Sequence, residues 1–374
     1  MANLARRTFV VTYAVTAFTL ELTRLPWWLL KYSLRCGRQS EDWNYRQALT
    51  VRLLYSFVRH IAALKPITSM SLDPGAEKER FQVITPIPAV YCKGPLLSNP
   101  NVKPTEIGAT WYPNPLLPSD IGHATVVLHI HGGAYVLADG RTATSASLVS
   151  ALLDYTPVTH VLCPQYRLSR LPASDASNPF PAALQDTLSS YYYLVETMRV
   201  PPRNIILSGD SAGGHNAIAF LRYLSEFGSE LQLPVPSACC LWSPLIQPYL
   251  CDDFIRTNPN SITDYVPWPL MEWMAAAYIG LGGLEVLKSP YVSLLHSPFK
   301  TEVPIFVNAG GKELLFYDIM KWANLMGKTT GNSITLDVEE TAPHDPLVLI
   351  HMNFGSEAKK IAQRVRVWLN GVKG

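Results

Sequence analysis

The 374-residue sequence has few charged residues and few cysteines. Charged side chains make up 16% of the chain and hydrophobic ones 48%, a balance that excludes wholesale disorder and allows a sizeable buried core. The six cysteines suggest no disulfide framework, since two of them (Cys239 and Cys240) are adjacent within an apolar run, and no Asn-x-Ser/Thr sequon occurs. Both absences indicate a reducing, intracellular location. The net charge of +2 gives no reason to expect a nucleic-acid partner.

The charge is unevenly distributed along the chain. Ten basic and three acidic residues fall within residues 1–65, which therefore carry +7, whereas the remainder carries −5. An uncharged run at residues 8–20 follows Arg6 and Arg7, but no cleavage site of small residues comes after it, so it does not fit a signal peptide. The run is also too short to span a bilayer by itself. It predicts a helix that lies on a surface.

A second helix with one apolar face is predicted at residues 48–65. Residues 1–65 are therefore expected to form a basic, apolar N-terminal helical arm. Two interpretations of this arm remain open. Residues 1–34 could attach to a membrane surface, such as an endomembrane, which their basic charge and the tryptophans Trp27 and Trp28 favour. Alternatively, the arm packs on the main domain, residues 66–374, as part of a cap.

From residue 124 onward, apolar strands alternate with helices. Such nearly continuous apolar runs are typical of strands buried on both faces, and their alternation with helices predicts a mostly parallel α/β sheet. Two shorter strand candidates upstream suit an edge hairpin. A segment rich in Pro, Trp, Met and Tyr at about 250–290 interrupts the alternation and is predicted to be a cap insertion. The predicted strands are 81–85, 109–112, 125–130, 158–164, 204–208, 238–242, 304–308 and 334–339.

The pentapeptide Gly209-Asp210-Ser211-Ala212-Gly213 directly follows the strand predicted at 204–208 and precedes a helical stretch. A serine on a tight strand-to-helix turn needs small neighbours, because the backbone there is strained and closely packed. Its hydroxyl then projects from the C-terminal edge of the sheet, near the positive end of a helix. In this context the pattern indicates that Ser211 is a nucleophile, in preference to an ordinary glycine-rich turn.

A second glycine motif, His131-Gly132-Gly133-Ala134-Tyr135, ends the strand predicted at 125–130. Successive glycines let backbone N–H groups turn towards a substrate carbonyl oxygen. We therefore expect the N–H groups of Gly132, Gly133 and Ala212 to hold a developing oxyanion.

Together with Tyr166-Arg167-Leu168 and Phe180-Pro181-Ala182-Ala183, these motifs resemble the hormone-sensitive-lipase-like branch of the α/β-hydrolase fold, over about residues 105–370. The resemblance implies a mostly parallel sheet flanked by helices, with a helical cap built from the arm and the 250–290 insertion. It also implies a serine esterase or deacetylase that prefers a short acyl group. No cofactor and no metal are expected.

The chain order of that fold, nucleophile then acid then histidine, implies the other catalytic residues. Glu313 follows a predicted strand and the glycines Gly310-Gly311, and His344 lies in the loop after the last predicted strand. A neutral histidine can take the serine proton, and a carboxylate behind it fixes its tautomer. Asp318 is the rival acid, although a capping role in the following helix also explains it.

The remaining histidines mostly have structural explanations. His129 and His131 have a spacing that zinc can use, but no cluster supplies a third ligand. His215 is interpreted as a packing residue beside the serine, within reach of a substrate. Asp186 matches a structural position of the family, and Asp210 is interpreted only as the variable residue before the nucleophile.

The apolar residues of the cap favour a hydrophobic leaving group, because such residues line pockets for apolar ligands. The expected substrate contacts are Trp268, Met271, Tyr135 and His215. The expected activity is hydrolysis of a small lipophilic ester, a short acyl group on an apolar alcohol such as a natural product or sterol, through an acyl-enzyme. Biosynthetic acyl transfer or cyclisation with the same triad is an alternative, because exclusion of water decides between them. A non-catalytic receptor is a further alternative, which the presence of His344 disfavours.

Overall fold

An eight-stranded sheet forms the centre of the protein, in a computed structural model that describes residues 2–373 and the side chains of residues 8–372. The strands are β1 (Phe81–Ile84), β2 (Ile107–Tyr112), β3 (Val126–Ile130), β4 (His160–Pro164), β5 (Ile205–Asp210), β6 (Ala238–Trp242), β7 (Ile305–Gly310) and β8 (Ile334–Glu339). Their order in the sheet is β1-β2-β4-β3-β5-β6-β7-β8. The β1–β2 and β2–β4 pairs are antiparallel and the others are parallel. The predicted mostly parallel sheet with an edge hairpin is confirmed.

The helices cover both faces of this sheet. Within residues 2–373 they are α1 (Ala2–Ser33), α2 (Tyr45–Leu64), α3 (Thr142–Tyr155), α4 (Ala182–Tyr192), α5 (Ser211–Leu231), α6 (Asp253–Thr257), α7 (Trp268–Ile279), α8 (Phe316–Gly327) and α9 (Gly355–Lys373). Strand residues alternate between the two cores, as the period of two requires. Ile206 and Cys240 pack with α3 and α9, whereas Leu207 and Cys239 pack on the opposite face with α4, α5 and α8. The adjacent cysteines are therefore core residues of β6.

The predicted cap insertion lies between β6 and β7. It contains α6, α7 and 3-10 turns at Pro259–Ile262 and Gly280–Lys288. The stretch Trp268–Lys288 is long enough to cross a membrane and has a mean hydropathy of 1.3 over its most apolar window. No other helix in the described part of the chain is both as long and as apolar as a membrane span requires. Most of α7 is nevertheless buried in the protein core, including Met271, Trp273 and Met274, so its apolar character has a packing explanation.

The N-terminal arm is a helical hairpin that packs on the rest of the protein. Helix α1 runs through Pro26 without a break and contacts α2, and α2 in turn contacts α7. The indole N–H of Trp43 donates to the Thr341 carbonyl at 2.6 Å, and the Gln47 amide donates to Glu357 at 2.9 Å. These two contacts fix α2 and the turn before it to the body. The side chains of Arg6 and Arg7, which add to the predicted basic charge, lie outside the described residues.

Candidate active site

Ser211 lies on the sharp turn between β5 and α5. Its φ of +50° is in the left-handed region, which is strained for a residue with a side chain. The flanking glycines permit this turn: a Cβ at Gly209 would collide with the Gly213 carbonyl, and a Cβ at Gly213 would collide with the Ile130 carbonyl of β3. The small residues of the motif therefore serve close backbone packing, as the sequence predicts.

The structure brings Ser211, His344 and Glu313 together in the predicted order. Nε2 of His344 is 3.0 Å from Oγ of Ser211, and Nδ1 of His344 is 2.7 Å from Oε2 of Glu313. Oε1 of Glu313 accepts a hydrogen bond from the Gly310 N–H at 2.7 Å. With the Nδ1 proton on the Glu313 side, Nε2 is an acceptor aimed at the serine hydroxyl. The arrangement has the geometry of a nucleophile, a base and an orienting carboxylate.

The electrostatics of this trio follow from its burial. Burial acts to lower the pKa of His344, but the hydrogen bond to Glu313 and the charge of that carboxylate outweigh it and raise the pKa above its ordinary value. Burial raises the pKa of Glu313, while the hydrogen bonds from His344 and the Gly310 N–H act in the opposite direction. The ionised form of the buried Glu313 side chain therefore depends on the hydrogen bonds from His344 and the Gly310 N–H.

Asp318, the rival acid, forms its side-chain hydrogen bonds with groups other than His344. Its carboxylate accepts hydrogen bonds from the Tyr249 hydroxyl at 2.6 Å and from the Gln247 amide at 3.1 Å. A different carboxylate, Asp264, does flank the site, because it accepts from the Leu314 N–H at 2.5 Å, next to Glu313. No motif in the sequence indicates Asp264.

The loop after β3 carries the expected oxyanion donors, with one correction. The Gly132 N–H donates to Oδ1 of Asp210 at 2.8 Å, so it is committed to that carboxylate and is not available to a substrate oxygen. Gly133 and Ala134 follow with φ values of +98° and +55°. Across the part of the chain that is described, the N–H groups of Gly133, Ala134 and Ala212 have no hydrogen-bond partner. Ala134 replaces Gly132 in the predicted set of donors.

Asp210 is more than the variable residue before the serine. Besides Gly132, it contacts Nε2 of His129 at 3.1 Å, and Nδ1 of His129 is 3.0 Å from the Ser208 hydroxyl. Burial acts to raise the pKa of Asp210, but the hydrogen bond to His129 and the charge of that ring, together with the neighbouring Asp345 and His131, outweigh burial and lower the pKa. Burial and the Asp210 charge raise the pKa of the neighbouring Asp345 carboxyl group well above its ordinary value.

A cavity of about 210 Å³ opens onto Ser211 and His344. One side of its lining is apolar, with three residues from α7, one from α2 and three from the segments between elements. That apolar set is Val58, Leu245, Val266, Leu270, Met271, Met274 and Leu315. Tyr265 also lines the cavity, with its ring centroid 5.8 Å from that of His344. Of the four predicted substrate contacts, only Met271 lines this cavity.

The other three predicted contacts face the protein core, so those predictions are wrong for this cavity. The Tyr135 ring is fully buried and stacks on Tyr278 at 4.1 Å, and its hydroxyl donates to Nδ1 of His215 at 2.7 Å. Nε2 of His215 donates to the Val292 carbonyl at 2.9 Å, and burial lowers the pKa of His215 to about 4. Trp268 packs against the core at the start of α7. Proximity to a motif in sequence did not reveal these orientations.

Comparison with known proteins gives a consistent family. A model of the alpha/beta hydrolase fold family matches residues 127–347. The chain is 32% identical to an acetyl-hydrolase of Streptomyces hygroscopicus over 51% of its own length and 58% of that protein's. It is 29% identical to steryl acetyl hydrolase 1 of Saccharomyces cerevisiae over 28% of its length and 24% of that protein's. The chain therefore spans less than two thirds of the length of these curated relatives.

A solved structure gives the same fold. The crystal structure of an esterase from the bacterial hormone-sensitive lipase family superposes with a TM-score of 0.62 at 23% identity, covering 89% of this chain and all of that one. The predicted α/β-hydrolase fold with a helical cap is confirmed, and so is the predicted resemblance to that branch.

Proposed function

Since the chain belongs to the α/β-hydrolase fold family, we propose that it is a carboxylic ester hydrolase that removes a short acyl group from an apolar alcohol through an acyl-enzyme. The observation that carries this proposal is the position of His344, with Nε2 at 3.0 Å from the Ser211 hydroxyl and Nδ1 at 2.7 Å from Glu313. A receptor would not need a base placed against a serine on a strained turn.

Acylation uses these groups in sequence. Oγ of Ser211 attacks the carbonyl carbon while Nε2 of His344 takes the hydroxyl proton, and Glu313 stabilises the imidazolium that forms. The negative oxygen of the tetrahedral intermediate accepts from the N–H groups of Gly133, Ala134 and Ala212. The bond from the carbonyl carbon to the alcohol oxygen then breaks, and His344 gives its proton to the departing alcohol.

Deacylation repeats the same steps with water. His344, neutral again, takes a proton from water as its oxygen attacks the acyl carbon of the Ser211 ester. Collapse of the second tetrahedral intermediate releases the carboxylic acid and returns the proton to Oγ of Ser211. An alcohol in place of water would give acyl transfer.

The substrate class is supported by the cavity and by the relatives. The cap contributes apolar side chains from Val58 of α2 to Met271 and Met274 of α7, which suit an apolar alcohol. The cavity of about 210 Å³ is small for a long acyl chain together with a bulky alcohol. Two relatives have acetyl-hydrolase names, one of them for a steryl substrate. We infer an acetyl or similarly short acyl group.

We also propose that α1 attaches the protein to an intracellular membrane. Its surface away from α2 exposes large apolar side chains on two flanks, including Phe9, Phe18, Leu22 and Trp27 at 61%, 70%, 55% and 62%. Tryptophan and basic residues favour the membrane interface, and the cap of the catalytic cavity is built partly from the adjoining α2. A membrane-attached arm would place the cavity close to lipophilic esters dissolved in the bilayer.

The proposal is tested by product analysis on a matched ester series. Acetate, butyrate, octanoate and palmitate esters of one aryl alcohol, and the acetates of a sterol and of ethanol, are incubated with the protein. We expect the highest kcat/KM for the acetates and release of free carboxylic acid. Addition of a competing alcohol separates hydrolysis from transfer: a product dominated by the new ester would support the transferase alternative instead.

A further inference from the structure

A second cavity lies between the arm and the cap, and we call it the arm cavity. Its volume is about 500 Å³. It is lined by the end of α1 and the loop that follows, by one face of α2, and by the cap segment from Ser261 to Asp264. It does not contain Ser211 or His344, and the reaction described above makes no use of it.

The arm cavity has an excess of positive charge. Lys31, Arg38, Arg52 and Arg59 line it, and Asp264 is its one acidic residue. Asp264 is 2% exposed, and its carboxylate accepts from backbone N–H groups, including that of Leu314. It therefore offers no ion pair to the cations.

None of these four cations has a carboxylate partner among the described side chains, but one of them is held by backbone carbonyls. The Arg38 guanidinium donates to backbone carbonyls, among them those of Tyr32 and Trp43. In the part of the chain whose side chains are described, the Lys31, Arg52 and Arg59 side chains, in contrast, form neither an ion pair nor a hydrogen bond. A cavity lined by three such cations favours an anionic ligand.

Arg52 provides an independent sign of a missing ligand. Its guanidinium lies 4.5 Å from the Trp28 ring centroid and 5.4 Å from that of Tyr55, which holds the planar group in place. Its Nε is buried and has no hydrogen-bond partner. An unsatisfied buried donor is costly, and a phosphate oxygen would satisfy it with a charge-assisted hydrogen bond.

Exposed apolar residues lie next to the arm cavity. Trp27 and Leu30 are within one turn of Lys31 on α1, Leu34 directly follows the end of that helix, and the three are 62%, 61% and 56% exposed. Ile262, which lines the cavity from the cap side, is 66% exposed. The complementary ligand therefore has an anionic head and apolar chains beside it.

We propose that the arm cavity binds the phosphate headgroup of an anionic phospholipid in a bilayer, with Arg52 as its main ligand and with Lys31 and Arg59 beside it. This inference rests on the proposed membrane attachment of α1. It adds a specific lipid contact near the catalytic cavity, because the adjacent residues Asp264 and Tyr265 line the arm cavity and the catalytic cavity respectively.

Vesicle flotation with matched charge variants tests this site. The full chain is mixed with vesicles of phosphatidylcholine alone or with added phosphatidic acid. Arg52→Met removes the headgroup ligand and keeps apolar packing on Trp28, whereas Arg46→Met removes one exposed charge from the same helix outside the cavity. With phosphatidic acid present, we expect Arg52→Met to bind about tenfold more weakly than Arg46→Met. Hydrolysis of a soluble aryl acetate checks that each variant is folded.

Each outcome separates the site from the broader proposals. Equal, small losses in the two variants would overturn the headgroup site but leave membrane attachment standing. A wild-type protein that floats with no vesicle overturns both the headgroup site and the membrane attachment of α1. The ester hydrolase proposal is unaffected by that result, because the ester series tests it. If Arg52→Met does not fold, Arg59→Met, at an exposed position of the same cavity, must show the selective loss. Binding of soluble glycerol phosphate to the wild-type protein is measured last. If it binds as tightly as the phosphatidic acid vesicles, the ligand is a free phosphate and the lipid assignment is overturned.

Discussion

The Gly132 N–H donates a hydrogen bond to Oδ1 of Asp210 at 2.8 Å, which ties the oxyanion loop to the residue before the nucleophile. A Cβ at Gly132 would collide with Oδ2 of the same carboxylate, so the contact also explains why a glycine stands there. The loop that carries the N–H groups of Gly133 and Ala134 is thereby held at a fixed position relative to Ser211.

Asp210→Asn should lower kcat more than it changes KM. An amide offers one acceptor oxygen, so it cannot replace the carboxylate towards both Gly132 and His129. We expect kcat to fall by about tenfold to a hundredfold through displacement of the oxyanion donors. Steady-state hydrolysis of an aryl acetate measures both constants.

Ser208→Ala is the matched control for Asp210→Asn. It removes the hydroxyl that contacts Nδ1 of His129 but leaves the Asp210 contact to Gly132 in place. We expect kcat to remain within about threefold of wild type, since the oxyanion loop keeps its anchor. A loss as large as that of Asp210→Asn would assign the effect to the His129 network instead.

Glu313→Gln should remove most of the turnover, and Asp318→Asn should not. The glutamine side chain can present its amide group to Nδ1 of His344 and so favour the wrong tautomer, at a cost of about a thousandfold to ten-thousandfold in kcat. Asp318 contacts Tyr249 and Gln247 and no triad residue, so its amide should change kcat by less than about threefold. The reverse ranking of the two variants would transfer the acid role to Asp318.

The pH dependence of kcat/KM should show a limb on the acid side set by His344. The base must be neutral to accept the serine proton, so activity is lost as the pH falls through the histidine pKa. Because Glu313 raises that pKa, the midpoint is expected above the ordinary value of about 6.5. Two aryl acetates with leaving groups of different basicity should give the same midpoint. A midpoint below 6.5 would contradict the ion-pair geometry.

Met271→Trp should select against bulky alcohols. The larger side chain would fill the apolar part of the catalytic cavity, so we expect at least about a tenfold loss in kcat/KM for a sterol acetate and a small change for ethyl acetate. Met320→Trp is the control, because Met320 lies on α8 and does not line this cavity. It should change kcat/KM for the sterol acetate and for ethyl acetate by the same factor. Equal losses on both acetates would show that Met271 does not contact the alcohol.

Sequence reasoning placed Ser211, Glu313 and His344 correctly relative to one another because each follows a strand end with a recognisable local pattern. The carboxyl ends of neighbouring parallel strands share one edge of the sheet, so a correct strand assignment brings these residues together. The prediction that the Gly132 N–H is an oxyanion donor was wrong. A glycine motif shows where the backbone can turn, but it does not show which N–H already has an acceptor.

The rest of the site depends on contacts between distant segments. Val58 of α2 and Tyr265 of the cap line the catalytic cavity, yet neither lies near a motif. Conversely, Tyr135 and His215 are close to motifs in sequence but point into the core, where they bond to each other. Side-chain direction in an irregular loop is set by tertiary packing, which no local pattern encodes.

Stoichiometric labelling with a fluorophosphonate tests whether Ser211 is a nucleophile activated by His344. The measurement is the mass of the intact protein and of its peptides, followed in parallel with hydrolysis of an aryl acetate. We expect one equivalent of label on the peptide that contains Ser211, loss of activity in proportion, and no labelling of Ser211→Ala. Inactivation with the label on another residue, or activity of Ser211→Ala within about tenfold of wild type, would contradict it.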